Sequence, residues 1–355
     1  MTFTVKTLSM AAAGATLISL GIASTAKAIS LGPDFVTAYN FVDLGSVPGL
    51  PPLYGGLTFQ LGNPNTLLIG GNANTASGRL YEIGVVRDVD NRITGFTGIA
   101  NQFGNIGEYN DGGVVFGPDN VLFTAQWPVN NLGQTKLGST TEDRVDNLST
   151  LGIGGSSISA LNFVPTGFAG AGRMKVVSWS SGNWYDVAYS PDGFGTFNLN
   201  SATQIDLDPS TPGIQSLPGG PEGFVYIPAG NPGFTVNSLL VSDYSAGQVS
   251  AYDLDSEGNP LVVTRRNFLT DLTGAEGAVI DPLTNDFLFS TFGGGNRVIR
   301  VSGFNAPEPP PPLAKTPEPT STLSFLALGT LGAVSTLKRK LKPSQSTEKE
   351  TIKVG

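Results

Sequence analysis

The sequence predicts an all-β protein: a β-propeller of five four-stranded blades, or six if one unit is degenerate, flanked by an N-terminal signal helix and a C-terminal hydrophobic helix. Three observations carry this. A unit of three or four short apolar strands recurs about every 45 to 60 residues between Leu44 and Phe304, the period of a propeller blade. The composition is turn-rich, with 47 Gly and 25 Pro against only 14% charged residues. No window outside the two ends carries helical periodicity. A unit of this size cannot bury both of its faces alone, so neighbours must stack. A pair of β-sandwiches is the competing arrangement.

The units follow in order. Gly55 to Phe59 leads to Thr66–Gly70 and then Gly78–Ile83. Gly112 to Asp119 leads to Val121–Thr124. Ser159 to Pro165 leads to Met174–Trp179 and Asn183–Tyr189. The last two copies match best: Glu222 to Pro228, Ser238–Tyr244 and Gly247–Tyr252, against Glu276 to Pro282, Asp286–Phe292 and Gly295–Arg300. The irregular stretch from Gln134 to Ser157 has room for a degenerate sixth unit. Phe35 to Leu44 reads as a strand that completes the last unit, which otherwise ends near Phe304 with three strands. Such closure hides two sheet edges.

Both ends read as addresses. Lys6, the apolar run from Met10 to Ala23 and the small-x-small pattern Ala26-Lys27-Ala28 form a signal peptide, residues 1–28, with cleavage after Ala28. Its partners would be the Sec translocon and signal peptidase. The apolar core is too short for a comfortable membrane span, which disfavours an uncleaved anchor. The propeller domain then covers 29–304 and a Pro-rich linker 305–316. Beyond it Pro317-Glu318-Pro319 precedes an apolar run from Leu323 to Leu337, a basic stop at Lys338, Arg339 and Lys340, and a polar tail over 343–355. Positive charge stays on the cytoplasmic side, so the tail would remain inside with the domain outside. A permanent tail anchor and a transient one both fit.

Residues 317–342 resemble a PEP-CTERM sorting signal, close to the cyanobacterial form: Pro-Glu-Pro, a small-residue apolar segment and a Lys-Arg-Lys stop, in that order. The resemblance implies recognition by an exosortase near Pro317, removal of the hydrophobic segment, and release or attachment at the cell surface after transient anchoring in the inner membrane. It also implies association with extracellular polysaccharide. The polar tail after Lys342 is longer than the family's usual ending. In the middle region the strand–Pro/Asp turn–strand rhythm weakly resembles NHL-type and gluconolactonase-type propellers.

Composition excludes a good deal. There is no Cys and no His. That removes thiolate and imidazole metal sites, the Ser-His-Asp triad and the usual general base. Catalysis would rest on carboxylates, Lys, Tyr, Arg or an oxygen-bound cation such as calcium. The net charge is −8, and the body is more acidic once the lysine-rich ends are removed, so nucleic acid is not an expected partner.

Glu222 and Glu276 occupy equivalent places, each just before the Gly that opens the first strand of its unit, and Asp111 is near the corresponding place in another. In a propeller the first strand lines the channel, so these three are candidate channel carboxylates. A solvated turn explains the same Glu-Gly pair. Asp253, Asp255 and Glu257, followed by Gly258, have the alternate spacing of a calcium loop, but Thr264 stands where the bidentate Glu belongs, and a hairpin turn is due there. Trp127, Trp179 and Trp184 would stack on sugars if exposed, though aromatics in β-proteins more often fill the core. The expectation is therefore an exported, surface-sorted propeller that binds or scaffolds extracellular polysaccharide without catalysis of its own. The alternative is a metal-dependent, lactonase-like hydrolase working through the channel carboxylates. The two differ in whether three or more acidic or amide ligands converge on one ion.

Overall fold

The apolar runs form strands because alternate side chains on each can enter two different cores. In β16 (Ser238–Asp243) Leu239 and Val241 enter one hydrophobic cluster and Leu240 another. In β20 (Phe287–Thr291) Phe287 and Phe289 are separated from Leu288 in the same way. A sheet buried on both faces reads as continuous apolar sequence.

The computed structural model describes residues 28–154 and 157–305. They form five antiparallel blades. Blade 1 is β3 (Leu57–Gln60), β4 (Asn63–Gly71), β5 (Arg79–Arg87) and β6 (Ile93–Gln102). Blade 2 is β7 (Asn110–Phe116), β8 (Leu122–Gln126), β9 (Asn131–Thr135) and β10 (Arg144–Asn147). Blade 3 is β11 (Ile158–Phe163), β12 (Met174–Ser178), β13 (Trp184–Pro191) and β14 (Phe197–Ile205). Blade 4 is β15 (Pro221–Ile227), β16, β17 (Gln248–Asp253) and β18 (Arg266–Thr270), with β1 (Ser30–Leu31) added at its edge. Blade 5 is β19 (Ala275–Ile280), β20, β21 (Val298–Ser302) and, from the start of the chain, β2 (Asn40–Asp43). The first strands β3, β7, β11, β15 and β19 pack side by side in a closed cycle. One hydrophobic cluster fills each of the five seams between blades.

The ring closes as the sequence suggests, through β2 pairing antiparallel with β21. The closing strand is shorter than expected. Residues 33–38 form turns, and Phe35 points inward, fully buried against Tyr39, Phe234 and Phe268. Among the described residues there is no sixth blade. The stretch from Gln134 completes β9, forms β10 as the outer strand of blade 2, and continues into a 3₁₀ turn at Leu148–Leu151. Asn147 caps that turn by accepting the Ser149 amide, and Leu148 anchors it in the blade 2–blade 3 seam.

Among the described residues the only helical elements are short 3₁₀ turns, and no helix is long and apolar enough to cross a membrane. The expected signal helix, its cleavage-site residue Ala26, and the C-terminal segment with Pro317, Glu318, Pro319, Lys338, Arg339 and Lys340 lie outside the described residues. Ala28 is described only as the irregular lead into β1.

A candidate cation site under an aromatic mouth

The five first strands approach the axis so closely that main chain meets main chain. A Cβ on Gly112 would lie 2.7 Å from the Gly223 nitrogen, and one on Gly223 would lie 2.5 Å from the Ala278 nitrogen. A Cβ on Gly277 would lie 2.6 Å from the Gly56 Cα, and one on Gly56 would lie 2.8 Å from the Gly112 oxygen. Blades 2 and 4 are not neighbours in the ring, yet Gly112 and Gly223 touch. The channel is shut at this level, and the space above it ends blind.

The acids sit immediately above this floor. Irregular strand starts put them there. From Pro221 to Phe224 strand β15 takes three steps while its partner takes two, from Asp243 to Val241. Strand β19 does the same between Ala275 and Ala278 against Thr291 and Phe289. Strand β7 takes four steps from Asn110 to Val114 against two from Gln126 to Thr124. Such bulges redirect side chains. Here they accompany Glu222, Glu276 and Asp111. Carboxylate oxygens of these three residues lie within 4.8 Å of one another, and the residues are only 4%, 1% and 1% exposed.

Their electrostatics set them apart. Three other carboxylates in the described residues are equally buried, and each has a cation. Asp243 accepts from Arg265 at 2.9 Å, Asp281 from Arg87 at 2.6 Å, and Asp286 from Arg92 at 3.1 Å. No Lys or Arg is among the groups that perturb Asp111, Glu222 or Glu276. Both Asp111 oxygens, Glu222 Oε2 and Glu276 Oε1 are buried without a well-formed hydrogen bond, as is Asn74 Oδ1, although Asn74 and the Gly112 amide lie close by. Burial pushes the Asp111 carboxyl up to about 7, partly offset by Glu276, Asn74 and the Gly112 amide. Glu222 is raised well above the usual carboxylate range by burial and then by the charge of Asp111. Glu276 is raised by burial and then by Glu222 and Asp111. Buried carboxylates are ordinarily paired or bound to metal.

The donor set fits a hard divalent cation. It is all oxygen, and donors on opposite sides of a calcium ion sit up to about 5 Å apart, given bond lengths of about 2.3–2.6 Å. Asp111, Glu222 and Glu276 would hold the ion, with the Asn74 carbonyl beside them. Such an ion would supply charge neutralisation and a Lewis-acidic point at the channel floor.

A wall of aromatics stands over the acids. The residue after the second strand is Trp127 in blade 2, Trp179 in blade 3, Tyr244 in blade 4 and Phe292 in blade 5. In each the backbone amide donates to a carbonyl just ahead of the first strand: Tyr109, Ser157, Gly220 and Gly274. Neighbouring rings meet at interplanar angles of 75°, 71° and 72°, each near a fifth of a turn, the rotation between blades of a five-membered ring. Blade 1 breaks the series with Asn72, and Asn74 closes the circle. The rings, Asn74, Glu222 and Glu276 enclose a cavity of about 280 Å³. Tyr244 faces the acids: burial, then Glu276 and Glu222, raise its hydroxyl pKa.

The structure thus brings together the three candidate channel carboxylates. It does not bring together Asp253, Asp255 and Glu257. Asp253 pairs with Arg266 at 3.0 Å. Asp255 accepts the Glu257 and Asn259 amides and the Asn259 side chain, which closes a tight turn. Glu257 reaches Arg173 at 3.1 Å. Among the tryptophans only Trp184 is fully buried; Trp127 and Trp179 are half-buried at the mouth. Aligning the repeats on the ends of their second strands exposes the aromatic series, a signal that reading the tryptophans one at a time misses.

No protein-family profile matches the chain, and no curated protein is detectably similar in sequence. Several solved structures are similar in shape. An auxiliary nutrient binding protein from Bacteroides thetaiotaomicron is 12% identical over 74% of this chain and 76% of its own, with a TM-score of 0.42. One from Bacteroides ovatus is 12% identical over 74% and 77%, with a TM-score of 0.38. A PQQ-bound aldose sugar dehydrogenase from Streptomyces coelicolor is 11% identical over 73% and 83%, with a TM-score of 0.36. Nothing about ligand or reaction follows from similarity of this depth.

Proposed function

We propose that this chain is an exported, surface-sorted binding propeller with a divalent cation of the calcium class at its channel mouth, held by Asp111, Glu222 and Glu276, and with extracellular polysaccharide as its partner class. One observation carries the binding part: three buried carboxylates converge without a cation of their own, while the other fully buried carboxylates each have an arginine. Buried like charges at this separation are unfavourable unless protonated or neutralised. The export and sorting part rests on the sequence pattern of the two ends.

Titration calorimetry of calcium into EDTA-stripped protein tests the centre. We expect one site per chain, lost in Glu222→Gln and in Glu276→Gln, and a melting temperature that rises with calcium in the wild type alone. Absence of calcium binding by a folded wild-type protein refutes it. The mass of the mature protein tests the sorting. We expect a start at Ile29 and no Lys338-Arg339-Lys340; an intact C-terminal segment on the extracellular form refutes exosortase processing.

The convergence of three acids also favours a second reading, a metal-dependent lactonase-like hydrolase. In it one carboxylate of the cluster, left free of the cation, would exchange a proton with a substrate oxygen while the other two hold the ion beside it. Lactone turnover abolished by EDTA and by Glu222→Gln would decide for it.

A further inference from the structure

The geometry points to the ligand class of this mouth: the terminal residue of a neutral saccharide, entering end-on. The inference rests on the cation reading above and adds to it what the mouth selects. Trp127, Trp179, Tyr244 and Phe292 present apolar ring surface around the opening, the kind of surface on which the C–H face of a sugar ring packs. Beside them lie the carboxylates of Asp111, Glu222 and Glu276 and the side-chain amide of Asn74. A calcium ion takes about six to eight oxygens, more than one from each of Asp111, Glu222, Glu276 and Asn74, so places remain for two neighbouring hydroxyls of the ligand.

Two further observations narrow the class. The pit is blind, because Gly56, Gly112, Gly223 and Gly277 close the channel beneath it. At about 280 Å³ it lies just below the usual range of ligand pockets, roughly 300–1,000 Å³. A chain end fits such a pit; the interior of a polymer, which must enter and leave, does not. The charge balance excludes acidic sugars. Three carboxylates around one divalent cation leave a net negative charge, and among the described residues no Lys or Arg lines the cavity. A uronate would meet repulsion there, whereas a neutral sugar brings hydroxyls to the cation at no charge penalty.

The experiment uses the full mature protein, first titrated with calcium alone and then, calcium-loaded, with the methyl glycosides of glucose, galactose, mannose and fucose, and with glucuronic acid. At least one neutral glycoside should bind, glucuronic acid should not, and EDTA should abolish binding. Oligosaccharides ending in the preferred sugar should bind within a few-fold of its methyl glycoside, because the pit contacts only the terminal residue. Trp179→Ala should weaken glycoside binding about tenfold, with calcium affinity unchanged; Phe292→Ala provides the same test if the first variant does not fold. Calcium binding without any neutral glycoside binding overturns the saccharide assignment and leaves the cation centre standing. So does tighter binding of glucuronic acid, or a full glycoside affinity in both aromatic variants. Affinity that climbs with chain length overturns end-on entry. Failure of calcium itself to bind overturns the centre.

Discussion

At the scale of single residues, the carboxylates of the channel mouth stand apart from the other buried acids of the described residues in having no basic side chain beside them. Asp243 shows the ordinary solution: a buried carboxylate held by Arg265 and by neighbouring polar side chains. Asp111, Glu222 and Glu276 have each other instead. Their raised pKa values make the metal-free protein pH-sensitive, and the sign follows from proton counts. Between the ordinary carboxylate value of 3.8 and the value of about 7 at Asp111, the folded state holds more protons than the unfolded one. Stability therefore falls as pH rises through that window. We expect the melting temperature of EDTA-treated protein to drop from about pH 4 to about pH 7, and calcium to restore it most strongly at the upper end. A metal-free melting temperature that is flat or rises across this range would contradict the placement. The acids themselves were legible in the sequence, as residues at the head of equivalent strands. Their lack of a counter-charge was not, because it depends on where every arginine folds.

At the scale of elements, the glycine after each acid has a reason that a turn does not supply. Gly223 does not adopt a left-handed conformation, so an alanine there would keep its backbone. It would instead drive a methyl group into the main chain of β19, which has no flexible side chain to give way. Gly223→Ala should cost about 1–3 kcal/mol in denaturant unfolding, as overpacking does. A change below about 0.5 kcal/mol, the level of an ordinary surface substitution, would mean the first strands are not in main-chain contact. The strands were readable from their apolar runs and turn residues. The bulges of β7, β15 and β19 were not, because one or two extra residues in an apolar strand leave no mark in composition. Asp111 lies one residue earlier than the places of Glu222 and Glu276 when each strand is counted back from its regular pairing (Val114, Phe224, Ala278).

At the scale of the whole molecule, stability depends on closing the ring. The closing strand β2 precedes blade 1 in sequence and pairs with β21, the last strand of the described residues, and the turn before it is pinned by Phe35 in the blade 4–blade 5 seam. Phe35→Ala removes a fully buried ring and should cost about 3–5 kcal/mol. Because the two ends meet there, the loss should appear in global unfolding, read by hydrogen exchange as reduced protection in β19 to β21 as well as β2. Loss of protection confined to β2 would show that closure and blade stability are uncoupled. Closure was foreseeable by counting, since the last repeat is one strand short.

What the sequence determined by itself is therefore local and repetitive: strands, turns, the period of the blade, the missing last strand, the acids at the heads of equivalent units and, on alignment, an aromatic at the end of four second strands. Apolar periodicity and turn chemistry act over a few residues, so they can be read along the chain. Tertiary structure alone decided that blades 2, 4 and 5 deliver their acids to one point, that glycine main chains shut the channel beneath them, and that no arginine of the described residues reaches the cluster. Those are relations across the ring axis, between residues as far apart as Asp111 and Glu276, set by how closely five sheets pack around that axis.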